Sequence, residues 1–166
     1  PTIVAGRPQP VPIRVTARDA TLDVRIGDQR LRVCTRMSLP GGGWREAAAT
    51  GGTTRTRESA RTRESAWSAG PCRVSRKVTT RDDHVHIADT LTNTTDQLIG
   101  VRIEHYTNLV NPPEGLYLAG RKSFADAGNA WEAAHPSVFA QFKQFGVGLV
   151  AEDDVFRVHA RSLHDP

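Results

Sequence analysis

No apolar run in this 166-residue chain approaches the roughly 18 residues needed to span a bilayer, so no membrane partner is expected. Sulfur is scarce: two cysteines and one methionine. Cys34 and Cys72 lie far apart, without Cys-x-x-Cys or zinc spacing, which excludes a disulfide-dense scaffold and a zinc module and leaves their own pairing open. No stretch sustains an apolar period of 3.6, so helices do not organise the fold. A Gly-x-Ser-x-Gly elbow, a Walker loop and a Gly-x-Gly-x-x-Gly turn are all missing, which removes the common nucleophile and nucleotide sites. Asp82-Asp83 and Glu152-Asp153-Asp154 lack the spaced carboxylates of a calcium loop, and they are expected as turns. No metal and no cofactor is expected.

What is present is alternation. Short segments with polar and apolar residues in turn run at Val11 to Arg18, Thr21 to Ile26, Arg30 to Met37, Arg73 to Thr80, His84 to Thr92 and Gln97 to Tyr106. Leu116 to Ala119, Ser137 to Phe142, Phe145 to Ala151 and Val155 to Ala160 complete the set. Ten or so strands predict an all-β fold, a two-sheet antiparallel sandwich, in a single domain or part of one over residues 1–166. The start at Pro1, without an initiator Met or a leader pattern, suggests a segment of a longer protein, whose remainder is then an expected partner.

Residues 39–70 lack strand periodicity and are expected as a long irregular loop. They hold an exact tandem duplication, Arg55 to Ala60 repeated as Arg61 to Ala66. Loop-closure entropy grows slowly with length, so an exposed loop tolerates such an insertion.

Charge is divided along the chain. Residues 1–81 hold 16 Lys or Arg against 6 Asp or Glu, and residues 82–166 hold 6 against 12. Two packed sheets of opposite sign, or one basic surface that steers acidic partners, would both account for this. Each copy of the repeat carries a Glu and no aromatic residue, which argues against a nucleic-acid arm.

A three-residue loop at Thr94 to Asp96 would join two of the strands into a hairpin. Leu91 would then face Ile99, and Ile87 would face Ile103. His84, His86, Arg102, Glu104 and Tyr106 would share the other face, with His86 opposite Glu104. An imidazole beside a carboxylate can act as acid and base, which makes His86 and Glu104 the candidate catalytic pair. Sugar sites combine a flat aromatic with planar hydrogen-bonding groups. Trp44, Trp67, Trp131 and Tyr106 are the candidate platforms, and His84 and Arg102 the candidate polar groups. A water-facing sheet also carries such residues without any ligand.

The run from Arg76 to Asp96, with its strand, acidic turn, strand and Asp-x-x-x-Asn-x-Thr close, resembles segments of galactose mutarotase-like supersandwich domains. Pro136 to Ala140 and Val147 to His159 resemble pieces of bacterial glycoside-hydrolase-like proteins that carry such a domain. The resemblance covers roughly residues 72–161. It implies a sugar-facing sheet, a glycan partner, an accessory role in a glycan-processing protein and an extracytoplasmic location. An epimerase, lyase or hydrolase site using His86 and Glu104 is the alternative it leaves open, and a structural or assembly domain is a second.

Overall fold

A computed structural model describes residues 12–18, 20–27, 29–46, 57–59, 61–109, 112–123, 130–152 and 161–164. The chain divides into two compact units, Pro1–Val110 and Asn111–Pro166. Among the described residues every regular element is a strand, and the pairing is antiparallel throughout.

The first unit holds two sheets. One contains β1 (Ile13–Arg18), β2 (Thr21–Ile26), β3 (Gln29–Leu39) and β4 (Gly43–Glu46) in that order, with β9 (Arg102–Leu109) also on β3. Residues 31–34 of β3 pair with both β2 and β9, and residues 36–38 pair with both β4 and β9. Strands β2 and β4 therefore follow one another along one edge of β3, and β9 takes the other edge. The second sheet is a meander of β5 (Arg57–Glu58), β6 (Thr62–Ala69), β7 (Cys72–Thr80) and β8 (Val85–Asn93).

Alternation explains how the sheets meet. Leu31, Thr35 and Met37 of β3 are buried, as are Cys72, Val74, Arg76 and Val78 of β7, while the residues between them are exposed or half-buried. Met37, Trp67, Cys72 and Val74 pack into one cluster with Ala20, against which Leu39, Leu91 and Ile103 also pack. This core lies between two sheets, which is the expected sandwich.

The expected hairpin does not form. Strand β8 pairs with β7, placing Thr79 opposite His86, whereas β9 pairs with β3, placing Arg36 opposite Glu104. The segment between them crosses from one sheet to the other, braced by Asn93 Nδ2 donating to the Gln97 carbonyl at 2.6 Å and Thr94 Oγ1 donating to the Pro71 carbonyl at 2.7 Å. The face assignment nevertheless holds, because Leu91 and Ile103 reach the same core from opposite sides. Alternation records which way a side chain points; it does not record which strand lies beside it.

The stretch 39–70 is also more ordered than expected, since β4, β5 and β6 fall within it. Strand β6 turns Ser65, Trp67 and Ala69 inward, and small or polar residues at core positions hide the period from a hydrophobicity reading. The second copy of the repeat contributes most of this strand. Part of the first copy, and the expected strand at 155–160, lie outside the described residues.

In the second unit, β10 (Gly115–Leu118) pairs with β11 (Arg121–Lys122) and with β13 (Val138–Gln141), which pairs in turn with β14 (Gly146–Leu149). Strands β12 (Trp131–Ala133) and β15 (Ser162–His164) form a two-stranded ribbon. Leu118, Ala140 and Phe142 are buried here.

Candidate functional site

The outer face of the β3 sheet gathers four of the expected residues. Ser38 lies between Trp44 on β4 and Arg102 on β9, and Arg36 lies between Glu46 and Glu104. Serine is small, so the Trp44 ring can lie across it. The Arg36 guanidinium stands 5.0 Å from the centre of the Trp44 ring and 5.4 Å from that of Tyr106, and the Arg102 guanidinium stands 5.4 Å from Trp44. Tyr106, Arg36, Trp44 and Arg102 thus alternate ring and cation, each contact attractive through the ring quadrupole.

Two carboxylates hold this row. Arg36 donates Nε–H to Glu104 Oε2 at 2.9 Å and a terminal N–H to Oε1 at 2.8 Å, a bidentate pair that sets the plane of the guanidinium. The Tyr106 phenol reaches across β3 and donates to Glu46 Oε1 at 2.5 Å. That hydrogen bond, with some burial, raises the phenol well above its ordinary ionisation range. Trp44 remains 39% exposed, leaving part of its ring open.

The row ends at a shallow groove lined by the Leu39 to Gly43 turn and by Gly100, Val101 and Arg102. Gly41 and Gly43 have φ of +73° and +63°, which the tight β3–β4 connection demands and which side-chain-bearing residues rarely adopt. A Cβ at either position would meet nothing within 4 Å, so the backbone there is uncovered.

The other candidates lie elsewhere. His86 sits on the outer face of the β7–β8 sheet, opposite Thr79, and Glu104 on the outer face of the β3 sheet. The sandwich core separates these faces, so the expected acid and base pair is not assembled. His84 Nδ1 lies 2.7 Å from Asp83 in the exposed β7–β8 turn, where the interaction lowers the Asp83 carboxyl below its usual range. Trp67, expected on a loop, is 2% exposed on β6 and presents no ring face to a ligand. Trp131 belongs to the second unit, half-buried on β12 opposite His164.

Two groups of residues were not anticipated. Arg36 organises the site; its position between Cys34 and Ser38 on the polar side of β3 was the available signal. Inside the sandwich, Arg76 is 2% exposed. It donates to both Asp89 oxygens, to the Ala20 carbonyl at 3.1 Å and to Thr35 Oγ1 at 2.7 Å, and stands 5.2 Å from the Trp67 ring. Thr35 Oγ1 in turn lies 3.0 Å from His105 Nδ1. The signal was again alternation, since Arg76 falls between Val74 and Val78, and Asp89 between Ile87 and Leu91, on the apolar sides of their strands. Each guanidinium nitrogen of Arg76 has an acceptor, on strands of both sheets or on Ala20, which makes the network a clamp between them, while the buried Trp67 indole N–H has no hydrogen-bond partner among the described residues.

Among the described residues, no three His, Cys, Asp or Glu side chains come together as a metal site, and no helix is long and apolar enough to cross a membrane. Compared with known protein families, characterised proteins and solved structures, the chain matches none.

Proposed function

We propose that this chain is a carbohydrate-binding β-sandwich, an accessory part of a glycan-processing protein, with its glycan contact on the outer face of β3, β4 and β9. The observation that carries this reading is the part-exposed Trp44 ring in the company of Arg36 and Arg102, near Glu104 and Glu46. A sugar ring stacks on such an indole through its C–H face, while its hydroxyls donate to carboxylates and accept from guanidinium groups. The openness of the surface suits a chain of sugars laid across it better than a single enclosed monosaccharide. The resemblance of residues 76–96 to mutarotase-like sandwiches points the same way. A catalytic role would need proton-transfer groups on this face, and His86 is not one of them.

A second reading, a structural segment packed against the rest of a longer protein, is favoured by Phe139, Val150 and Leu163, which remain 45%, 66% and 57% exposed. Affinity electrophoresis of the chain through gels containing soluble polysaccharides separates the two. Retardation that is lost in Trp44→Ala supports glycan binding, and mobility unchanged in every gel overturns it.

A further inference from the structure

The same outer face carries more positive charge than its fold requires. Strand pairing places Arg14 directly opposite Arg25, and Arg25 directly opposite Arg30, so three arginines form one row across β1, β2 and β3. Like charges opposed in this way destabilise a sheet. Asp23, in the adjacent row, relieves only one end: it accepts from Arg30 at 3.3 Å and from Arg32 at 3.0 Å, and both hold its carboxyl below the usual range. Among the described residues, no carboxylate pairs with Arg14, Arg25 or Arg102, and all three are exposed. Eight residues of β3 separate the Arg30 row from the Ser38 row, about 26 Å at 3.3 Å per residue. The face is therefore a long track with unneutralised arginines at both ends and an indole at one.

On the reading of this face as a glycan site, we infer that its ligand is an acidic polysaccharide, with carboxylate or sulfate groups seated on the Arg14–Arg25 row and on Arg102 and a sugar ring on Trp44. Arginine presents a planar fork that matches both anions. The carboxylates along the track decide between polyanions. Asp23, Glu46 and Glu104 accept hydrogen bonds, which sugar hydroxyls can donate, whereas a nucleic-acid backbone brings a phosphate at every step and few donors to meet them.

The test is retardation and titration of the purified chain with matched pairs: pectate against its fully methyl-esterified form, and chondroitin sulfate against its desulfated, carboxyl-reduced form, with oligothymidylate as a separate arm. The expected result is binding at least tenfold tighter to an acidic member than to its neutral partner, weakening as salt rises. Arg14→Gln/Arg25→Gln and Arg102→Gln should each erase most of that preference; all three positions are exposed, so the fold should persist, which circular dichroism checks. Equal binding to both members of every pair overturns the acidic ligand and leaves the glycan reading standing. Failure to bind any polysaccharide, acidic or neutral, overturns both. Tighter binding to oligothymidylate than to every polysaccharide overturns the inference in favour of nucleic acid.

Discussion

Arg76 and Asp89 form a two-bond ion pair inside the sandwich, with Arg76 donating to the two carboxylate oxygens at 2.7 and 2.6 Å. The side chains are 1% and 12% exposed. Taking two charges out of water is costly, and here the cost is offset by hydrogen bonds that reach from β7 and β8 to Thr35 on β3 and the Ala20 carbonyl.

Asp89→Ala leaves the buried guanidinium without its counter-charge. The expected loss is about 3–5 kcal/mol of folding stability, read from the urea midpoint. Arg76→Met/Asp89→Leu removes both charges and should recover most of that loss; a double variant as unstable as the single one would contradict the account.

His105 supplies a pH dependence whose direction its burial sets. Arginine has only donors, so Thr35 Oγ1 accepts from Arg76, and the same oxygen lies 3.0 Å from His105 Nδ1, with the imidazole tautomer deciding which of the two donates. Burial lowers the His105 pKa first; Asp89 opposes that effect and Arg76 adds to it. A base with a depressed folded-state pKa binds fewer protons folded than unfolded, so its contribution is complete above the unfolded value of about 6.5 and is lost as pH falls through the lower folded value. His105→Gln should flatten stability against pH below about 6.5. An unchanged slope would remove His105 as its source.

Glu104→Gln tests the carboxylate at the site. The substitution keeps the shape and leaves Arg36 without its charged partner, so glycan affinity should change by about 1–3 kcal/mol while the fold persists. Isothermal titration gives the number. Affinity identical to that of the unaltered chain would take Glu104 out of the contact.

Tyr106 ionises late because the neutral phenol donates a hydrogen bond to the Glu46 carboxylate. Glu46→Gln should move the alkaline absorbance change of this phenol to lower pH. No movement would mean that the bond is not made in solution.

The two cysteines are free and differ in access. Cys34 lies on the outer face of β3, half-buried opposite Tyr106, and Cys72 is 2% exposed in the core of the other sheet. An aromatic disulfide reagent should titrate Cys34 in the native chain and Cys72 only after unfolding. Simultaneous reaction of both would contradict their placement.

Strand alternation was sufficient to sort most side chains to the correct face. Ile87, Leu91 and Ile103 read as core residues and are packed inward, and Arg102, Glu104 and Tyr106 read as one polar face and share one. The acidic turn at Arg81 to Asp83 was equally legible, and its closing bond, Arg81 N–H to the His84 carbonyl at 2.8 Å, is present. These are local properties, set by a two-residue period and by turn chemistry.

Adjacency was another matter. A two-sheet core accepts the apolar sides of β8 and β9 equally well from the same sheet or from facing sheets, so no pattern within either strand could report that Glu104 lies beside Arg36 and far from His86. Trp67 shows the same limit, because a bulky residue between small ones reads as loop until the neighbouring strand supplies Val74 and the facing sheet Met37 to bury it. The sequence alone determined the all-β class, the inward or outward facing of the alternating strands and the excess of arginine; only the tertiary structure showed the strands within 39–70 and decided which strands meet, and with them that Trp44, Arg36, Tyr106 and Arg102 stand together, since pairing is governed by long-range burial and hydrogen bonding that no local period encodes.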